Sequence, residues 1–176
     1  SELDGTLLGL TCLNMLSKSL SDLGLRSACN SLAGIVEAGG NPFELTDDLE
    51  TVARSDFDGT LPGPFSAHPK LDPDTGELHV IGYYVGLDAL QYNVVGTDGR
   101  VRKTVEIPVE GKTMVHDCSL TENYFIVFDM PVLFDLELVE KGHSLPYRWF
   151  DDYGTRVGLL PRDGEAADIT WHEVDP

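Results

Sequence analysis

The hydrophobic pattern of the chain changes near residue 31. Before that point, leucines recur every three or four positions through residues 6–25, a spacing typical of one face of an amphipathic helix. These leucines are Leu10, Leu13, Leu16, Leu20 and Leu23. After residue 31, short runs of β-branched and aromatic residues alternate with clusters of Gly, Pro, Asn and Asp, which favours strands joined by tight turns. The pattern predicts a short N-terminal helix followed by an all-β region with no further helix.

Three pairs of strand-like runs are each separated by a short turn signal. The pairs are 92–96 with 101–109, 113–120 with 124–132, and 157–161 with 169–174. The first pair flanks Asp98-Gly99, a dipeptide that strongly favours a hairpin. Short strands at even intervals are typical of a sandwich, a barrel or a propeller. Because the hairpins follow one another in pairs, a propeller is favoured.

Composition and charge exclude several classes of function. The chain has 176 residues, enough for one domain or for a piece of a larger one. Thirty acidic residues against twelve basic ones give a net charge of -18, so no basic surface is expected for nucleic acid or for anionic lipid. No run reaches the length of about 18 apolar residues that a transmembrane helix needs.

The cysteines and the first residues bear on the cellular compartment. Cys12, Cys29 and Cys118 are odd in number, widely spaced and without a CxxC pair, which favours free thiols in a reducing compartment. The acidic start lacks the basic region of a signal peptide. We therefore predict a cytoplasmic location.

Two histidines stand in unusual local settings. His68 precedes Pro69, which restricts the histidine to extended backbone and makes this segment rigid. His116 lies within an otherwise apolar strand-like run, where a buried imidazole needs a partner. That partner is either a metal such as iron, zinc or copper, or a hydrogen-bonding group such as a carbonyl or Asp117. On local sequence alone, the hydrogen-bonded histidine is the more common outcome.

The other polar residues have weaker signals. His79 alternates with apolar residues and is predicted to face solvent, and neither His143 nor His172 is assigned a role. Glu37 ends an apolar run, where it could accept the ring N–H of a metal-bound histidine or be an ordinary exposed glutamate. Asp117 is expected on the opposite strand face from His116. No GxSxG elbow, Walker loop or HExxH helix is present, and the acidic turns lack EF-hand spacing.

Several longer segments resemble one enzyme family. FSAHPKLDPDTGELHVIGY resembles the first-histidine segment of the carotenoid cleavage oxygenases, and TMVHDCSLTENYFIVFDMPVLFD resembles their second-histidine segment. EAGGNPFEL, FDGTLPGPF, GLLPRDG and ITWHEVDP also match family segments, in the family's order. The resemblance covers residues 33–176, whereas residues 1–32 match poorly. We therefore predict a poorly matched N-terminal segment, 1–32, and a partial oxygenase domain, 33–176.

The resemblance implies a fold, a cofactor and a reaction. The family fold is a seven-bladed β-propeller with a non-haem Fe(II) ion on its axis, held by four histidines that carboxylates orient. The iron activates O2, and cleavage of an alkene bond gives two carbonyl products. Carried over to this chain, His68 matches the first iron ligand, His116 the second, and Glu37 an orienting glutamate.

The resemblance is partial, and this shapes the functional hypothesis. The family's third ligand follows shortly after a segment like ITWHEVDP and the fourth lies near the C-terminus, so we expect either a fragment of an oxygenase, inactive by itself, or a truncated paralogue. Val36 stands where stilbene-cleaving members have a lysine, which favours a carotenoid or apocarotenoid substrate. The expected partners are an apolar polyene, O2 and a membrane surface contacted for substrate extraction. A stilbene-cleaving dioxygenase, a non-catalytic propeller interaction module and a calcium-binding β domain remain alternatives.

Overall fold

The computed structural model describes residues 33–34, 42–45 and 50–175, whose regular structure is mainly short strands. The strands are β1 (Ala33–Gly34), β2 (Phe43–Leu45), β3 (Thr51–Arg54), β4 (Lys70–Leu71), β5 (Leu78–Gly82), β6 (Ala89–Val95), β7 (Val101–Pro108), β8 (Cys118–Leu120), β9 (Tyr124–Asp129), β10 (Val132–Phe134), β11 (Tyr147–Trp149), β12 (Arg156–Pro161) and β13 (Thr170–Glu173). The all-β class is confirmed. The helix predicted for residues 6–25 lies outside the described residues.

Four consecutive strands form the first four-stranded sheet, in the order β4-β5-β6-β7, with all neighbours antiparallel. The hairpin predicted around Asp98-Gly99 joins β6 to β7. Gly99 has a φ of 79°, a left-handed conformation that glycine adopts without steric cost. The Gly96 N–H donates to the Arg100 carbonyl at 2.8 Å, which closes the turn.

The second four-stranded sheet has the order β8-β9-β12-β13 and contains the other two predicted hairpins. Its strands are shorter than the sequence runs, and a three-residue 3-10 helix, Ala166–Asp168, lies between β12 and β13. Strands β10 and β11 pair with each other outside this sheet. They belong to the connection between β9 and β12, residues 130–155, which is called the excursion below. Sheets of four antiparallel strands that follow one another along the chain are the building unit of a propeller. A three-stranded sheet, β1-β2-β3, precedes both.

The prediction of no helix after residue 31 was wrong, because the excursion contains a short helix, α1 (Leu136–Glu140). This helix has no buried residue, so it leaves no amphipathic signal in the sequence. It is stabilised locally instead: the Asp135 carboxylate accepts from the Glu137 N–H at 2.9 Å and forms an ion pair with Arg148 of β11.

The two four-stranded sheets pack face to face through a continuous apolar core. Tyr92 of β6 and Phe125 of β9 are both fully buried, and their rings stack with centroids 4.0 Å apart. Ile81, Val127 and Leu160 belong to the same cluster. Full burial of one such side chain contributes about 1.5–3 kcal/mol. The packing of β6 against β9 therefore sets how the two sheets meet.

His79 is buried in this interface, so the prediction that it faces solvent was wrong. Its exposure is 1%. The alternation of polar and apolar residues along β5 predicted a solvent-exposed face, but the neighbouring sheet covers that face. The Arg162 guanidinium, which can only donate, approaches His79 Nε2 at 3.3 Å. Nε2 must therefore accept, and Nδ1–H donates to the Tyr92 hydroxyl at 2.6 Å. The contacts select one neutral tautomer of His79.

Arg162 continues this polar chain to Asp72. Its guanidinium forms an ion pair with the Asp72 carboxylate, which is only 2% exposed. The Arg162 hydrogen bond holds the pKa of the Asp72 carboxyl well below its usual range. Because Asp72 follows β4 and Arg162 follows β12, the chain ties the two sheets together with satisfied polar groups.

We predict that stability falls between pH 6.5 and pH 4 because His79 is buried as the neutral form. Burial, and then the Arg162 charge, lower the pKa of His79 from 6.5 to about 4. In this window the unfolded chain binds a proton that the folded chain excludes, so acidification favours unfolding. Urea-unfolding midpoints of the full-length protein, measured across this range, check the prediction.

The His79→Gln variant is the matched control, because its amide can accept from Arg162 and donate to Tyr92 without titrating. We expect the variant to show a shallower loss of stability over the same pH range. Equal pH profiles for both proteins would contradict the assignment. The Asp72 carboxyl, whose pKa is lowered from 3.8, also loses stabilisation below about pH 5, but it is present in both proteins, so the difference between the two profiles reports His79.

Candidate metal centre

His68 is held in place by the segment on each side of it. The preceding residues are buried, and the Ser66 N–H donates to the Ile81 carbonyl of β5 at 3.0 Å. Pro69 follows, and the chain then enters β4, which pairs with β5 through Lys70 and Leu71. The predicted turn after β4 is present, closed by the Gly76 N–H donating to the Asp72 carbonyl at 2.8 Å.

His116 lies in an extended segment just before β8 rather than inside a long strand. The Met114 N–H donates to the Val132 carbonyl at 2.8 Å, which aligns this segment with the excursion. Val115 and Cys118 are buried in the core, whereas His116 is exposed. The alternation along the segment therefore turns His116 away from the core.

The two histidines occupy equivalent places in the two four-stranded sheets. Each lies two residues before the first strand of its sheet: His68 before β4 and His116 before β8. Strands β4 and β8 are neighbours in space. Residues at matching positions before adjacent strands therefore come together, although they are 48 positions apart in the chain.

The ring nitrogens of these two histidines converge. His68 Nε2 and His116 Nε2 are 2.9 Å apart, and the ring centroids are 4.6 Å apart with the planes tilted by 55°. Two N–H groups cannot face each other at that distance, so at least one Nε2 presents a lone pair. The geometry fits either an imidazole–imidazole hydrogen bond or two nitrogen ligands of one metal ion.

A metal ion fits this pair as two of its ligands. One metal ion bound by both nitrogens at about 2.1 Å would require them to lie within about 4.2 Å of each other, and they are 2.9 Å apart. Among the described residues, no group of three or more His, Cys, Asp or Glu side chains could hold a metal by itself. The further ligands would therefore have to come from outside the described part of the chain.

The other candidates lie elsewhere. His79 is bonded to Tyr92, while His143 and His172 are exposed, on the turn after α1 and on β13. Glu37 lies outside the described residues, so its role stays a prediction. The roles of His68 and His116 as metal ligands also stay predictions, although the structure brings the two side chains together.

Sequence reasoning missed the polar contacts around the pair. Lys70 and Asp117 form an ion pair at 2.7 Å, and Cys118 Sγ lies 3.9 Å from the His68 carbonyl oxygen. The only signal in the sequence is a pair of opposite charges, one shortly after each histidine. That signal has meaning only once the two segments are known to be adjacent.

Comparisons with known proteins identify the family. The sequence model described as "Retinal pigment epithelial membrane protein" matches residues 32–176. The chain is 40% identical to a carotenoid cleavage oxygenase of Mycobacterium tuberculosis, over 81% of this chain and 36% of that protein. It is 35% identical to the carotenoid 9,10(9',10')-cleavage dioxygenase 1 of Pisum sativum, over 72% of this chain and 24% of that protein. This chain therefore belongs to the carotenoid cleavage oxygenase family.

A solved structure shares the fold. The lignostilbene dioxygenase of Pseudomonas brassicacearum superposes with a TM-score of 0.73 at 30% identity, over 81% of this chain and 30% of that one. This structural similarity confirms the all-β fold class that the sequence predicted. The chain spans between about a quarter and about a third of the length of these curated relatives, 24–36%.

We predict that His68→Ala and His116→Ala each abolish metal retention by the full-length protein. Either change removes one of the two converging Nε2 atoms, so a metal bound between them would lose a ligand. His143→Ala is the control, since this exposed histidine lies on the turn after α1. Metal content after purification checks the prediction, and retention of a full metal complement in either alanine variant would contradict it.

Proposed function

We propose that this chain is part of a non-haem Fe(II)-dependent dioxygenase that cleaves a carbon–carbon double bond of a carotenoid or apocarotenoid. The observation that carries the proposal is the 2.9 Å approach of His68 Nε2 to His116 Nε2, in a chain of this family. Neutral imidazole nitrogens are suitable ligands for ferrous iron.

The reaction balances without an added reductant. The alkene C=C bond and the O–O bond break, two C=O bonds form, and each product carries one oxygen atom. Ferrous iron, when bound, would supply the centre at which O2 is activated. His68 and His116 would hold it through their Nε2 atoms, and the remaining ligands would come from outside the described residues. We expect the chain by itself to be inactive, because two imidazoles hold iron weakly.

Glu37 belongs to the same proposal. Its resemblance to an orienting glutamate supports a role in fixing the tautomer of a metal-bound histidine. Metal titration of Glu37→Gln tests this role, with binding expected to weaken by about 10–100-fold. Unchanged binding would return Glu37 to an ordinary surface residue.

The substrate class rests on two kinds of support. Relatives named as carotenoid-cleaving oxygenases support a polyene substrate. Val36, which lies outside the described residues, also supports it, because the stilbene-cleaving members that this chain resembles have a lysine at that place. The likeness to a lignostilbene dioxygenase supports a stilbene as the second candidate. The non-catalytic alternative is a β-propeller interaction module with the same fold and no enzymatic activity. This alternative predicts no turnover of either substrate.

We expect aerobic incubation of the full-length protein with carotenoids to give two carbonyl products per substrate. With 18O2 in ordinary water, both fresh products should contain the label, because both oxygen atoms come from one O2 molecule. Mass spectrometry of rapidly reduced products checks this, since reduction to alcohols prevents exchange with water. Turnover of hydroxystilbenes alone would favour the second candidate, and no turnover of either would favour the interaction module.

Membrane contact for substrate extraction is also part of the proposal. Within the described residues, no helix is both long enough and apolar enough to span a bilayer. The segment between β9 and β12 nevertheless exposes four large apolar side chains to a large extent. They are Leu136, Val139, Leu145 and Trp149. An apolar contact is compatible with the net charge of -18, because neutral lipid does not repel the protein.

We predict that the full-length protein co-sediments with neutral phosphatidylcholine vesicles more strongly than with anionic ones. Replacing Leu136 and Trp149 by serine should lower the bound fraction several-fold, since apolar area drives such binding. Replacing Val52 by serine is the control, since Val52 is exposed on β3 of the three-stranded sheet. Equal binding of all variants would contradict a contact through the excursion.

The cytoplasmic location inferred from the cysteines remains part of the proposal.

A further inference from the structure

An ion pair links the two histidine segments. Lys70 Nζ lies 2.7 Å from Asp117 Oδ1, joining the residue two positions after His68 to the residue directly after His116. Lys70 is the first residue of β4, and Asp117 directly precedes β8. The ion pair therefore connects the first strands of the two four-stranded sheets beside the converging imidazoles.

The Asp117 carboxylate is held by a second contact. Its Oδ1 also accepts a hydrogen bond from the Cys118 N–H at 2.7 Å. Cys118 is 1% exposed and packed in the core, so this bond fixes the carboxylate relative to a rigid strand. Asp117 thus presents a positioned charge to Lys70 rather than a freely rotating one.

Cys118 makes a further connection between the segments. Its Sγ lies 3.9 Å from the His68 carbonyl oxygen, where the S–H can donate a weak hydrogen bond. The backbone at His68 is therefore tied to β8, and the Lys70–Asp117 pair acts two residues away.

We propose that Lys70 and Asp117 are positioning residues that set the separation and tilt of the His68 and His116 rings for metal binding. The proposal rests on the metal centre of the proposed function. The side chains of Lys70 and Asp117 are 31% and 46% exposed, and ion pairs of that kind contribute little to stability. Metal affinity is more sensitive than stability to the positions of the ligands, because a displacement of about 1 Å from the required geometry removes much of a site's function. Breaking the pair should therefore weaken metal binding while leaving folding nearly unchanged.

The test uses the metal-free full-length protein titrated with Co2+, whose visible absorption reports coordination geometry as well as affinity. Asp117→Asn removes the charge but keeps an oxygen that can accept from the Cys118 N–H. Lys70→Met removes the charge from the other side and keeps the chain length. Asp88→Asn is the matched control, since it breaks the Lys112–Asp88 pair at 2.6 Å, whose lysine is 37% exposed.

We expect Asp117→Asn and Lys70→Met each to weaken Co2+ binding by about tenfold, the lower end of the range for groups that orient metal ligands. The double variant should bind no more weakly than the single ones, because all three lack the same interaction. The Co2+ spectrum should change in these variants, and Lys70→Arg should restore it in part. The control should match the wild type in affinity and spectrum, and all variants should unfold at similar urea concentrations.

Other outcomes separate this proposal from the metal centre itself. Wild-type affinity and spectrum in both Asp117→Asn and Lys70→Met, with binding lost in His116→Ala, would overturn the positioning role and leave the metal centre standing. Additive losses in the double variant would also overturn it. Absence of Co2+ binding in the wild type would overturn both. If Asp117→Asn does not fold, Lys70→Met and Lys70→Arg decide the question.

Discussion

The stacking of Tyr92 on Phe125, at the centre of the core between the two four-stranded sheets, is the contact on which the rest of the structure depends. Both rings are fully buried, one on the central strand β6 and the other on β9. This packing sets the relation between the sheets and therefore the relation between their first strands. The two histidines precede those strands, so their convergence is a consequence of core packing.

The same interface has to accommodate polar groups, and it does so by pairing them. Asp72, Arg162, His79 and Tyr92 form a connected chain in which each buried group has a partner. Leaving any one of them unpaired away from water would cost free energy, so their mutual arrangement restricts how the sheets can slide. Apolar packing thus holds the two sheets together, and the polar chain fixes how they are placed relative to each other.

The histidine pair also depends on contacts between the two sheets. His68 and His116 are on segments that belong to different sheets, and each segment is secured by its own sheet before the two meet. Lys70, Asp117 and the His68 carbonyl then connect the segments locally. The distance between the two rings depends on both sheets being correctly placed, so a small displacement of one sheet would change that distance before it disrupted the core.

Much of the local structure follows from the sequence alone, because strands and tight turns depend on nearby residues. The Asp98-Gly99 hairpin was predictable since only a few neighbours decide a turn, and the motifs around His68 and His116 identified the family. The short helix α1 was not predictable from periodicity, because one cap and one ion pair hold it without a buried face.

What tertiary structure alone decided is which side chains meet. Alternation along β5 could not show that a second sheet covers His79, and no local pattern placed Lys70 beside Asp117. Sequence patterns report each residue's own backbone and face, whereas contacts between segments 48 positions apart depend on how whole sheets pack. Both histidines were therefore evident from the sequence as candidates, and the 2.9 Å between His68 Nε2 and His116 Nε2 came only from the packing.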